Sequence, residues 1–359
     1  MVVITVINRM FLSGLSTDDE RLLREKFTYS NPDYGMQSRF GGYVSNAIPK
    51  SLSTWHGGPP LPSVPRGGMQ KLRKFFEGRK VRYVDKRCDG DALPEGLTRR
   101  SERVLYPHQT EIIDEALRVQ NALVRAPTGS GKTLVEIEFI LRAGRKALVM
   151  VPTLELMRQW IDEAAAELQC PAEWFGQCGD GVFRDAPIIV GLPQSIAGRI
   201  GDKQLDPYAI GTFVVDEVQR AAADDFGTVI DAMPAKYRLG VSADERRADR
   251  KEFLTHDAFG RAVVEVRRED LIDKGVIKDV TIEMVRTSYS DPKYVETMKL
   301  GRATAEKVRN GERVSQAYSS AMRKLSITAF NELVERMSQS AERTAIIVEL
   351  AVRCIGQGH

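Results

Sequence analysis

The stretch NALVRAPTGSGKTLVEIEFILRAG, residues 121–144, constrains this chain more than any other. A short apolar run, NALVRA, leads into APTGSGKT, and helical periodicity begins at Lys132 and closes at Gly144. Such a run, bounded by turn residues, reads as a buried strand, and KTLVEIEFILRAG reads as a helix with Gly144 at its C-cap. APTGSGKT has the Walker A form, with Ala126 in first position and Gly131, Lys132 and Thr133 at the end. Its glycines let backbone N–H groups converge on phosphate oxygens without a Cβ in the way, and the helix N-terminus adds partial positive charge. In that geometry Thr128, Gly129, Ser130 and Gly131 cradle phosphates. Lys132 reaches the β- and γ-phosphates, and Thr133 ligates Mg²⁺.

The flanking sequence repeats the alternation. KALVMVP (146–152), PIIVG (187–191), TFVVD (212–216) and YRLGVS (237–242) are further short β-rich runs. TLELMRQWIDEAAAEL (153–168) is an amphipathic helix with Thr153 at its N-cap, and Phe139, Met157 and Trp160 belong to the core. Strands alternating with helices imply βαβ units and a parallel sheet covered on both faces. The fold class is therefore α/β, and ligands of such sheets bind at the carboxyl ends of the strands. One strand ends in Asp216 and Glu217. Asp216 is placed to hold Mg²⁺ through its water shell, and Glu217 to polarise an attacking water as general base.

Bulk properties narrow the class. Of 359 residues, 42% are hydrophobic and 28% charged, as in globular proteins, and no run approaches the roughly 18 apolar residues that span a bilayer. Cys88, Cys170, Cys178 and Cys354 show no CxxC spacing and the four histidines are scattered, which argues against a zinc site and for reduced thiols in a cytoplasm. The net charge of +3 is unevenly spread. Residues 65–87, PRGGMQKLRKFFEGRKVRYVDKR, hold nine basic and two acidic residues with Phe75, Phe76 and Tyr83 interleaved. Two readings stand: a solvated helix face, or a patch that faces phosphates. CDGDALPEGLTRRS, 88–101, reads as a linker, and the polar segment 288–345 as a helical connector.

A Walker A alone leaves kinase, transporter, GTPase and motor open. In order, the chain also carries LYPHQTEII (105–113), VPTLELMRQW (151–160), VGLPQSI (190–196), VVDEVQR (214–220) and LGVSADERRAD (239–249). This series resembles the superfamily 2 helicases and translocases. Within them it is similar to the branch of the excision-repair translocase, phage recombination helicases and type III restriction motor subunits. The resemblance covers roughly residues 100–285. The N-terminal stretch is similar, less specifically, to the accessory domain of phage members.

The resemblance implies a RecA-like lobe over 99–287, a small α+β accessory domain over 1–98, possibly DNA-binding, and over 288–359 a helical insertion that runs into the start of a second lobe. It implies that Gln109 reads the adenine edge of ATP, and that Thr153, Gln194 and Ser195 follow a nucleic-acid strand. Gln219 stands where close relatives carry His, and would still bridge the nucleotide site and the next motif. Ser242 and Arg247 match the third motif, from which Asp244 and Glu245 depart. The implied function is an ATP- and Mg²⁺-dependent DNA helicase or translocase of a cytoplasm, bacterial or phage-infected. It acts on duplex or branched DNA, with no membrane partner and a second lobe supplied by a missing part or another chain. Residues 1–359 alone are expected to hydrolyse ATP very slowly. The alternatives are a non-catalytic, ATP-regulated nucleic-acid binder and the motor subunit of a restriction system.

Overall fold

The computed structural model describes residues 1–34, 48–220, 223–243, 250–279 and 292–309. The chain forms two compact units, one of Met1–Tyr29 with Ser51–Asp279 and one of Ser30–Lys50 with Val280–His359. In the second unit, Pro292–Arg309 is a helix, in the segment expected to be helical. The remainder of that segment, from 310 on, lies outside the described residues, as do Asp244, Glu245 and Arg247.

A four-stranded and an eight-stranded sheet build the first unit, beside a two-stranded pairing of Thr28–Ser30 with Ser51–Ser53. The four-stranded sheet is built from β1 (Val2–Val6), β2 (Met10–Ser13), β3 (Ser63–Val64) and β4 (Val81–Asp85), in the order β3-β2-β1-β4. Alternating Val2, Ile4, Met10 and Leu12 turn inward to meet Leu23 of α1 (Thr17–Lys26), Phe27 at its C-cap and Leu72 of α2 (Met69–Phe75). Phe76 lies in this core at 3% exposure, which corrects the expectation of aromatics interleaved along the basic stretch. Of that trio only Tyr83, 46% exposed, is a large exposed hydrophobic.

The larger sheet has eight strands. In chain order they are β5 (Asn121–Arg125), β6 (Ala147–Met150), β7 (Phe175–Gly179), β8 (Val182–Arg184), β9 (Ile188–Gly191), β10 (Thr212–Val215), β11 (Tyr237–Ser242) and β12 (Ala262–Glu265). Their spatial order is β8-β7-β9-β6-β10-β11-β5-β12, parallel throughout except for the β7–β8 hairpin. β6, β9 and β10 are buried at every position. Continuous apolar runs are what a sheet covered on both faces requires, and each buried Val, Leu or Ile contributes about 1.5–3 kcal/mol. One face packs Phe139, Met157 and Trp160, and the other Phe213, Phe226 and Phe259.

Residues 88–101 are not a free linker. Cys88 bridges to Ala235 and Ala92 to Arg145. A Cβ on Gly90 would meet the backbone of Gly211 at 2.2 Å. Further contacts weld the small sheet to the large one. Arg9 donates from Nη1 to both carboxylate oxygens of Asp231 at 2.7 and 2.8 Å. Arg66 donates to the carbonyls of Ala235 and Lys236, at 2.5 and 3.0 Å, and Arg238 to that of Asn8 at 3.0 Å.

Candidate nucleotide site and nucleic-acid face

The Walker A loop follows β5 and opens α3 (Lys132–Ala143), the strand–loop–helix order expected from its sequence. Gly129 and Gly131 sit at φ +84° and +76°, the left-handed region that favours glycine. A Cβ on Gly131 would stand 2.4 Å from Gln109 Nε2, so a side chain there would displace the amide that α4 (Pro107–Val119) sends onto the loop. Gln109 clamps this junction. Its Nε2 donates to the carbonyl of Ser130 at 3.0 Å, while its Oε1 accepts from Tyr106 N at 2.9 Å. His108 Nε2 lies 3.3 Å from the same Ser130 carbonyl, and its ring stacks on Tyr106 at 5.7 Å between centroids. Beside the loop is a cavity of about 630 Å³ lined by Tyr106, Gln109, Gly129, Gly131 and Val276. It has the size and the mixed aromatic and polar lining of a nucleotide pocket.

β10 delivers the acid pair two strands away. Lys132 Nζ contacts Glu217 Oε1 at 2.8 Å. The other Glu217 oxygen accepts from Gln219 Nε2, and Gln219 Oε1 in turn accepts from Ser242 Oγ at 2.6 Å. Four residues from three predicted motifs therefore form one hydrogen-bonded chain from α3 to the end of β11. Glu217 has φ +46°, a left-handed conformation uncommon for a non-glycine residue and concentrated at functional sites. Asp216 Oδ1 accepts from Glu217 N at 2.8 Å. Burial and the neighbouring Glu217 charge push the Asp216 carboxyl up from its ordinary value, against the pull of Lys132.

Sequence reasoning missed Glu136. It is wholly buried on α3 and accepts from Trp160 Nε1 at 2.8 Å. Burial, then the Asp216 charge, push its carboxyl well up. An acid on the apolar face of KTLVEIEFIL, one turn past Lys132, was the available signal.

Thr128 and Gly129 are exposed at the loop, Ser130 is buried, and Thr133 is half-buried in the first turn of α3. Among the described residues no group of three or more His, Cys, Asp or Glu side chains forms a metal cage.

The remaining predicted residues fall on the other half of the same sheet edge. Thr153 follows β6 and caps α5 (Leu154–Leu168), accepting from Leu156 N at 3.3 Å. Gln194 and Ser195 begin α6 (Pro193–Gly201) after β9. β6 and β9 are paired neighbours, so these groups stand side by side at their carboxyl ends, with Thr153 and Gln194 exposed. The structure thus does not join them to the Lys132 cluster but sets them beside it, across β10.

Residues 102–246 match the family described as "Type III restriction enzyme, res subunit". The chain is 24% identical over 207 residues to "DNA 3'-5' translocase XPB2" of Sulfurisphaera tokodaii, covering 58% of this chain and 45% of that protein. It is 26% identical over 189 residues to "Probable helicase D10" of Escherichia phage T5, covering 51% and 39%. It therefore spans less than half the length of these relatives. The crystal structure of the UvsW helicase from bacteriophage T4 shares the fold, with a TM-score of 0.57 at 16% identity over 73% of this chain and 99% of that one. With the motif order and the parallel sheet already described, these matches make the chain similar to the superfamily 2 helicases, in the branch of the XPB translocases, phage helicases and type III restriction motor subunits.

Proposed function

We propose that this chain carries the first motor lobe and accessory domain of an ATP-dependent DNA translocase. The hydrogen-bonded chain Lys132–Glu217–Gln219–Ser242 carries the proposal, because it ties the phosphate loop, the acid pair and the third motif into one unit. Gln109 and the Tyr106 ring border the base pocket, and the loop Thr128–Gly131 would cradle the phosphates with its backbone N–H groups. Thr133 and Asp216 would hold Mg²⁺, which supplies charge neutralisation at the phosphates when bound. Lys132 exchanges its carboxylate partner for phosphate oxygens. Glu217, released from Lys132, orients a water and takes its proton. Gln219 keeps its bond to Ser242, so a shift of Glu217 is felt at the end of β11. Thr153, Gln194 and Ser195 supply polar contacts to one strand of DNA.

The test is nucleotide binding and phosphate release by the protein, with and without duplex DNA, beside Lys132→Ala and Glu217→Gln. Lys132→Ala is expected to weaken ATP binding at least tenfold. Glu217→Gln is expected to bind ATP while losing on the order of 10²–10⁴ in turnover, the contribution of a positioned general base. Unchanged binding in the first variant, or unchanged turnover in the second, would sink the proposal.

A further inference from the structure

The basic stretch singled out in the sequence reaches a place the motor reading does not use. A cleft of about 890 Å³ opens between the small sheet and the outer edge of the large one. Two sheet edges, unpaired among the described residues, border it: β4 through Tyr83 and Val84, and β12 through Ala262 and Val263. Asn121, at the amino end of β5, also lines it, so the cleft lies at the opposite end of that strand from the phosphate loop. The strand's rise makes that separation about 13 Å.

The lining is cationic. Asp85 and Glu115 are both matched, by Arg87 and Arg118, each at 2.6 Å. Arg73 and Arg261 are exposed, and among the described residues neither has an ion pair. Tyr83 is exposed among them. The floor is rigid. A Cβ on Gly67 would lie 2.3 Å from Gly260 N, so backbone rests on backbone there.

An exposed ring and two exposed arginines lining one groove are the pattern that takes a nucleic-acid strand: phosphates pair with the cations and a base stacks on the ring. We propose that this cleft is a second nucleic-acid contact, which binds a single strand with phosphates on Arg73 and Arg261 and a base on Tyr83. A duplex is disfavoured, because its stacked bases cannot reach Tyr83 from inside the helix. The contact needs neither ATP nor the strand-following face at Thr153 and Gln194.

The experiment is fluorescence anisotropy of a labelled oligothymidylate in nucleotide-free protein over a salt series. It compares wild type, the double variant Arg73→Gln/Arg261→Gln, Tyr83→Ala and the separate control Thr153→Ala/Gln194→Ala. Removal of two phosphate contacts should reduce the slope of log K against log salt by about 1.4, at roughly 0.7 per contact on single strands. Tyr83→Ala should weaken binding at least about fivefold with the slope unchanged. All three residues are exposed, so thermal midpoints should hold, and basal ATP hydrolysis should be unaffected. The proposal is overturned if the cleft variants bind with wild-type affinity and slope, or if their loss appears only with a duplex of the same length. Loss in the Thr153/Gln194 control alone also overturns it and leaves the motor reading standing. Failure of Lys132→Ala to affect nucleotide binding overturns that reading and leaves this one.

Discussion

Single residues decide how the site couples. Gln219 stands where the resemblance leads one to expect a histidine, yet it holds Glu217 on one side and Ser242 on the other. An amide can do both at once because it carries a donor and an acceptor at the same end. Gln219→Ala is therefore expected to leave ATP affinity near wild type. It should remove on the order of 10–100-fold of DNA-stimulated hydrolysis, the worth of a hydrogen bond to a charged group. Phosphate-release assays with and without DNA check this; full stimulation in the variant would show that Gln219 is not the link. The motif residues were legible because spacing alone fixes them: Gly129, Gly131, Lys132 and Glu217 could be named from sequence, and the structure brings Lys132 and Glu217 into contact. Glu136, Arg66 and Arg238 were not legible. A buried charge is recognised by its partners, and Trp160, Ala235 and Asn8 are distant in sequence.

Elements with strong local signals were legible, and those that depend on partners were not. The C-cap at Gly144 and the N-cap at Thr153 were both readable, because capping is written in adjacent residues. The β7–β8 hairpin was missed, since FGQCG interrupts its apolar run with glycines. Edge strand β12 was missed because AVVE is short, and pairing with β5 defines it. Helix α1 shows a local device and a tertiary one at the same residue. Ser16 and Asp19 form a capping box, and Arg79 donates to both oxygens of Asp19 at 2.7 and 2.9 Å. The Arg79 guanidinium holds the Asp19 carboxyl well below its ordinary 3.8. A depressed carboxyl contributes stability that is present above pH 4 and lost as pH falls towards the folded value. Asp19→Asn is therefore expected to cost about 1–2 kcal/mol at pH 7. The gap between the two midpoint curves should close as pH drops from 5 to 2. Urea titrations across that range check it, and a gap that stays constant would contradict the assignment.

At the scale of the molecule, the two proposed contacts fall at opposite ends of the larger sheet of the first unit. The carboxyl edge carries the Walker A loop and the acid pair at the ends of β5 and β10, with Thr153 and Gln194, proposed to follow a strand, beside them after β6 and β9. The amino end of β5 faces the arginine-lined cleft. A strand held at both ends would be handled by one body only if the small sheet cannot move against the large one. Several contacts argue that it cannot. Asp257, on the helix Glu252–Phe259, accepts from Lys71 Nζ and Tyr29 OH, each at 2.6 Å, and its side chain is 1% exposed. Burial and the Asp257 charge push the Tyr29 phenol up, so it stays a donor. Gly67 meets Gly260 with no room for a methyl group. These contacts are absent from either sheet alone, so the two should lose structure together. Hydrogen exchange across a denaturant series is expected to show amides of β1–β4 and of β5–β11 opening at the same midpoint. Gly67→Ala, which forces backbone apart, should cost about 1–3 kcal/mol of stability, lower that midpoint and let the small sheet open first. Wild-type protein in which β1–β4 already exchange well before β5–β11 would refute the single body, and the two ends of the sheet would then act as separate binding surfaces.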